Sequence, residues 1–340
     1  MRLFSNLVLI GLLLTSAMAG AMGPVSDPIG GPALGFSPNS DGSIVWPIIG
    51  IPGASLLGHR LVLGTEIQGA VISPRQDYLI AIRVEDGQPI LSRLTSEPHE
   101  PSPIAGTRHG QTAIGISPAG PAAALFDSDS KVLQVLRGFP AAPEIAFEFD
   151  ASTISGAGRL TALAVSDDAS IALLGFADSG GDSLWVVNAA GSRFISSDHA
   201  SSIAFILNSH DAVVSDAIAG EAFLLRRADD IPARMLLVSP SDGVEGLAGI
   251  AVSDDGRFVV VAGAASGTVG IVDLERSIHT VVSCNCRPSG VYRMTGTAVF
   301  RLNEPPDAIV TILDLSSGKP RILIIPPEPK AADARTGVSR

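Results

Sequence analysis

The chain has 340 residues, 46% of them hydrophobic and 17% charged, with a formal net charge of -11. That composition is ample for a packed core, and the acidic balance argues against nucleic acid as a partner, because phosphate binding needs clustered Lys and Arg. Arg226 and Arg227 are the only adjacent basic pair.

At the N-terminus, Arg2, the apolar run at residues 7–14 and the small-residue pattern Ala17-Met18-Ala19 predict a secretory signal peptide over residues 1–19, cleaved after Ala19. The apolar run is too short to span a bilayer. No Cys follows it at a lipoprotein position, and no second long apolar segment exists. The mature protein is expected to be exported, periplasmic or extracellular, with no transmembrane segment after cleavage.

Residues 33–36 and 44–49 form a predicted hairpin across the turn Pro38, Asn39, Ser40, Asp41, Gly42, and residues 60–63 add a further strand. Ser37, Asn39, Asp41 and Gly42 imitate the start of a calcium loop. The twelfth position, however, is Ile48 where a bidentate Glu is required, so a hairpin turn accounts for them better.

From residue 68 to 326 the chain repeats itself. LAVSDDASIALLGF from Leu163 and IAVSDDGRFVVVAG from Ile250 are two copies of one phrase, and weaker copies lie around them. With Ser73, Ser117, Ser166, Asn208, Ser253 and Thr295 as anchors, the steps are 44, 49, 42, 45 and 42 residues. Self-similarity at such a period marks units that bury their apolar faces only by stacking on neighbours.

One repeat shows why each unit reads as four strands. Residues 163–165 form an inner strand, and Ser166, Asp167 and Asp168 turn the chain. Residues 171–176 are a continuous apolar run, as expected of a strand buried on both faces. After a loop at 179–182, residues 184–187 form a third strand, 188–191 a hairpin turn and 193–196 an outer strand. The next-to-last repeat places strands at 249–252, 258–261, 269–272 and 279–282; the last at 291–294, 298–302, 309–313 and 321–325.

Sheets of this size stacked radially leave only short edges. The predicted fold is therefore all-β: one β-propeller of four-stranded antiparallel blades over residues 20–326, seven-bladed if the N-terminal region completes the first blade and six-bladed otherwise. Residues 327–340 read as a disordered tail.

Leu184-Trp185-Val186-Val187-Asn188, Val269-Gly270-Ile271-Val272-Asp273 and Ile312-Leu313-Asp314, followed by Ser316, Ser317, Gly318 and Lys319, resemble the third strand and hairpin of YVTN-type and WD40-like propellers of secreted bacterial proteins. The chain departs from the WD40 signature: neither of its two Trp is followed by Asp. Intracellular WD40 roles are not implied.

Cys284 and Cys286 are the only cysteines. In an exported protein they read first as a disulfide forming a local staple, although a bridge across one residue closes a very short loop and suits redox activity. Half a zinc site is the other reading, but no His or Cys stands nearby at ligand spacing.

Asp167 with Asp168, and Asp254 with Asp255, recur at the same point of two repeats, which favours a turn role over acid-base catalysis. The histidines show no paired spacing, and no nucleophile elbow, phosphate loop or nucleotide fingerprint occurs. The expected function is thus an exported, non-catalytic scaffold for a protein, peptide or glycan. The alternative is a lactonase-like or other metal-assisted hydrolase with its site in the central channel. No cofactor is expected under the first reading, while calcium or another divalent metal belongs to the second.

Overall fold

The computed structural model describes residues 32–95, 100–154, 158–303 and 309–326. The expected signal peptide and C-terminal tail lie outside the described residues. Consecutive strands pair into seven antiparallel sheets, each in simple up-and-down order, and the chain is a seven-bladed β-propeller. The inner strands run around the ring as Ala33–Pro38, Ile67–Ile72, Ala113–Ile116, Arg159–Val165, Ala200–Phe205, Leu247–Val252 and Tyr292–Arg293.

Six blades have four strands. Blade one has three among the described residues, Ala33–Pro38, Val45–Ile51 and Ala54–Leu57. The strand expected at 60–63 does not form on its own. Instead Gly58 N donates to Pro47 O and Leu61 N to Val45 O, each at 2.8 Å, so this segment runs on beside the second strand and prolongs the third.

Packing between blades supplies the core. Seven apolar clusters occupy the seven junctions, from Phe36, Val45 and Leu79 between blades one and two to Leu34, Ile48 and Val310 between blades seven and one. Each blade therefore buries both faces, which is why second strands such as Ile171–Asp178 read as apolar runs; Ile171 to Phe176 are all buried. The third strands end in Asx turns: Asn188 Oδ1 accepts from the amide of Ala190 at 2.8 Å, Asp273 Oδ1 from Glu275 at 3.1 Å and Asp314 Oδ1 from Ser316 at 2.9 Å.

The repeat anchor has a physical basis in the turn after each inner strand. The hydroxyls of Ser73, Ser117, Ser166 and Ser253 are buried and accept from the backbone amide five residues on, at 3.3, 3.1, 3.2 and 2.8 Å. Asn39 does the same in blade one, its Oδ1 accepting from Ile44 N at 2.9 Å. Two anchors need correction. The residues whose amides close the equivalent turns are Ile206, bonded to Asp211 O, and Met294, bonded to Val299 O, rather than Asn208 and Thr295. Neither side chain can cap, so these two turns lack the polar marker that betrays the others.

Among the described residues, ring closure uses no exchanged strand. Gln76, in the turn of blade two, is buried with a left-handed backbone (φ 63°). Its Oε1 accepts from Phe36 N of blade one at 2.7 Å, and its Nε2 donates to Arg293 O of blade seven at 2.7 Å. Thr295 N adds a direct bond to Leu34 O at 2.9 Å. The blade-one turn also locks onto blade two, with Gly69 N donating to Asp41 O at 2.7 Å. A Cβ on Gly42 (φ 67°) would lie 2.1 Å from Ala70 N, so only glycine fits there.

Gln76→Ala orphans the buried amide of Phe36 and the partly buried carbonyl of Arg293 at the closure. The expected loss of unfolding free energy is about 2–4 kcal/mol, measured by urea unfolding with the slope unchanged. Gln76→Glu keeps the acceptor alone and should fall between.

Candidate functional site

The richest polar constellation lies on the rim formed by the turns after the inner strands. Here the paired carboxylates divide their work. Asp168 stays within its own turn, where Oδ1 accepts from Ser166 Oγ at 2.6 Å and from Ser170 N at 3.0 Å. Asp255 repeats this in blade six, accepting from Ser253 Oγ and from Arg257 N.

Their partners reach neighbouring blades. Asp167 of blade four accepts from Ala119 N of blade three at 2.6 Å and from Asn208 N of blade five at 2.8 Å. Asp254 receives the guanidinium of Arg293 from blade seven, while Arg293 Nη1 donates to Pro118 O of blade three at 2.8 Å. Arg293 therefore spans the central channel at this rim. Tyr78 ties blades two and three, its hydroxyl donating to Gly120 O at 2.6 Å. Burial raises the phenol's pKa and keeps it protonated.

An open cavity of about 490 Å³ lies on this rim across blades three to five, lined by Pro121, Asp167, Asp168, Asn208, Ser209 and His210. His210 is its central group. Nδ1 sits 2.7 Å from Asp229 Oδ2 and Nε2 3.1 Å from Asp168 Oδ2, with Ser170 Oγ also 3.1 Å from Nε2. Burial opposes a charge on the imidazole, but the hydrogen bonds to Asp229 and Asp168 outweigh it and raise the pKa above the ordinary value. Burial likewise acts against Asp168, where the bonds from Ser166, Ser170 and His210 prevail and hold it far below the usual carboxylate range. Asp229 is lowered chiefly by its bond with His210.

Ser170, His210 and Asp229 line up as a nucleophile, base and orienting carboxylate would. Asp168 changes the chemistry. Ser170 Oγ donates to both Asp168 oxygens, at 2.8 and 2.9 Å, so its proton is directed away from the imidazole. Both ring nitrogens of His210 are taken up by carboxylates, and while the ring is protonated between them it has no lone pair with which to act as a base. The nearby amides of Ala119 and Asn208 are both spent on Asp167, leaving neither for an oxyanion. The group is built as a clamp between blades four and five.

Sequence reasoning identified Asp167, Asp168 and Ser166 but missed His210, Asp229, Ser170, Gln76 and Arg293. Asp229 lies in the loop after the third strand of its blade, and no spacing rule links it to His210. Other histidines lie apart: His199 Nδ1 is 2.9 Å from Asp182 Oδ1 on the opposite rim, His109 Nδ1 is 2.7 Å from Asp86 O, and His279 Nδ1 is 3.6 Å from Asp242 Oδ1. Among the described residues, no group of three or more His, Cys, Asp and Glu is placed to share a metal ion. No described helix is long and apolar enough to cross a membrane. Cys284 and Cys286 are joined as a disulfide with Cα atoms 5.1 Å apart, in the connection between blades six and seven.

Neither a family model nor a curated protein matches the chain. Solved structures do. The chain is similar to the WD40 repeats of RRP9, with a TM-score of 0.55 and 15% identity over 86% of this chain and 86% of that one. It is similar as well to apo AztD from Citrobacter koseri, with a TM-score of 0.55 and 13% identity over 86% of this chain and 95% of that one. Likeness at this level shows the fold alone.

The clamp has a defined pH window. His210, with its pKa raised in the folded state, contributes fully below its unfolded value of about 6.5 and loses the contribution as pH rises through the folded value. Asp168 and Asp229, lowered on folding, contribute fully above about 3.8 and lose the contribution as pH falls through their folded values. The stability difference between the wild type and His210→Gln should therefore be largest near pH 5 and shrink by pH 8.5. Urea unfolding at both pH values measures it, and a pH-independent difference contradicts the assignment.

Proposed function

We propose that the protein is an exported, non-catalytic propeller scaffold that binds a protein, peptide or glycan on the rim of blades three to five. The observation that carries this reading is the rim cavity, whose walls come from three blades and are tied by Asp167 and His210. A preorganised polar surface costs little ordering on binding. The propeller fold, shared with WD40 repeats, supports a binding scaffold in general.

The alternative, a lactonase-like or other metal-assisted hydrolase in the channel, is supported by the Asp-rich turns and by fold analogy. Two features favour the scaffold over it. Asp167, Asp168, Asp254 and Asp255 are engaged with amides, hydroxyls and Arg293. Arg293 also spans the channel at this rim.

Peptide and glycan arrays probed with the purified protein test the scaffold reading. Retained ligands should lose at least tenfold in affinity for Ser209→Trp, which fills the cavity without removing the Asp167 or His210 contacts. Ligands unaffected by that substitution, or no retained ligand of either class, would overturn the assignment of the rim. Elemental mass spectrometry of protein purified without chelator should show no stoichiometric metal, and one ion per chain would transfer the argument to the hydrolase. Export predicts a mature protein beginning at Gly20 in the periplasmic or extracellular fraction, read by intact mass.

A further inference from the structure

The Cys284–Cys286 disulfide stands apart from the rim, and four observations bear on its chemistry. It spans one residue, so it closes a very short loop and restricts the unfolded chain little. The fold around it is already closed by hydrogen bonds and packing: Cys284 N donates to Gly267 O at 3.0 Å, and both cysteines lie against the apolar cluster of blades six and seven. A bond that adds little to stability can be opened without unfolding the protein.

The two sulfurs are also inequivalent. Cys284 is 3% exposed, whereas Cys286 is only partly buried and is flanked by exposed Asn285 and Arg287. The amide of Cys286 donates to Cys284 Sγ at 3.2 Å. That hydrogen bond strengthens as negative charge collects on Cys284, which marks it as the leaving sulfur and Cys286 as the one attacked. Finally, the exposed guanidinium side chain of Arg287 is adjacent in the chain to Cys286, and a neighbouring cation favours the thiolates that exchange requires.

We propose that Cys284–Cys286 is a redox-active disulfide that oxidises a dithiol partner by thiol–disulfide exchange. A partner thiolate attacks Cys286 Sγ, forming a mixed disulfide as the Cys284–Cys286 bond breaks. The electron pair passes to Cys284 Sγ, which is held by the Cys286 amide and then takes up a proton. The partner's second thiol loses its proton and attacks the mixed disulfide, releasing Cys286 as a thiolate that is protonated in turn. Two electrons and two protons move from the partner dithiol to the protein, leaving the partner as a disulfide.

Glutathione and a synthetic peptide with two cysteines serve as probes. The expected results are three. Millimolar reduced glutathione opens the disulfide with unchanged far-UV circular dichroism, and oxidised glutathione restores it. Cys284→Ser, which leaves Cys286, forms a mixed disulfide with oxidised glutathione at least tenfold faster than Cys286→Ser. The reduced peptide is oxidised one for one by the wild type and not by the folded double variant Cys284→Ser/Cys286→Ser. Reduction that occurs only with unfolding overturns the proposal, as does a peptide left reduced by the native wild type. Equal trapping rates in the single variants overturn the assignment of Cys286 as the attacked sulfur.

Discussion

A ring of sheets is stable only if its last interface is as good as the others, and in this protein that interface joins blades seven and one without a shared strand among the described residues. A cluster containing Leu34, Ile48, Met294, Val299, Val310 and Ile312 supplies the apolar part. Gln76 supplies the polar part by holding Phe36 N and Arg293 O at once. Blades seven and one depend on this junction, because each of these two sheets is buried on both faces only while the ring is closed. An open ring would expose two apolar faces to water and lose the burial that makes the second strands stable.

The turns after the inner strands do more than reverse the chain. A serine hydroxyl caps each of four of them internally, while Asp167, Asp254, Tyr78 and Arg293 spend their polar groups on other blades. One rim of the propeller consequently carries hydrogen bonds between blades over six of the apolar junctions. The cavity of blades three to five sits where Asp167 touches two neighbouring turns and His210 bridges two carboxylates. The opposite rim carries the Cys284–Cys286 connection, so the proposed binding and redox features occupy different faces.

Much of the architecture was legible because a repeated blade repeats its physics. Apolar runs such as 171–176 mark strands packed on both faces, and Ser166 and Ser253 mark turns whose buried hydroxyls have a fixed partner five residues on. Legibility failed where that chemistry was replaced. Ile206 and Met294 hold the same turn position with side chains that cannot cap, so the period was drawn through Asn208 and Thr295 instead. Residues 60–63 read as a strand from their apolar pattern, but Leu61 pairs with an edge already in use.

By itself the sequence determined the fold class, the approximate blade period, the acidic surface and the presence of a closely spaced cysteine pair, since all of these are local in the chain or follow from composition. Tertiary structure alone decided which side chains meet. Gln76 and Arg293 are 217 residues apart, and Arg293 and Pro118 are 175 apart. Such contacts arise because the ring returns the last blade to the first and sets turns face to face across a narrow channel. The distance between two residues around a closed ring is set by its geometry, and no pattern of neighbours along the chain encodes it.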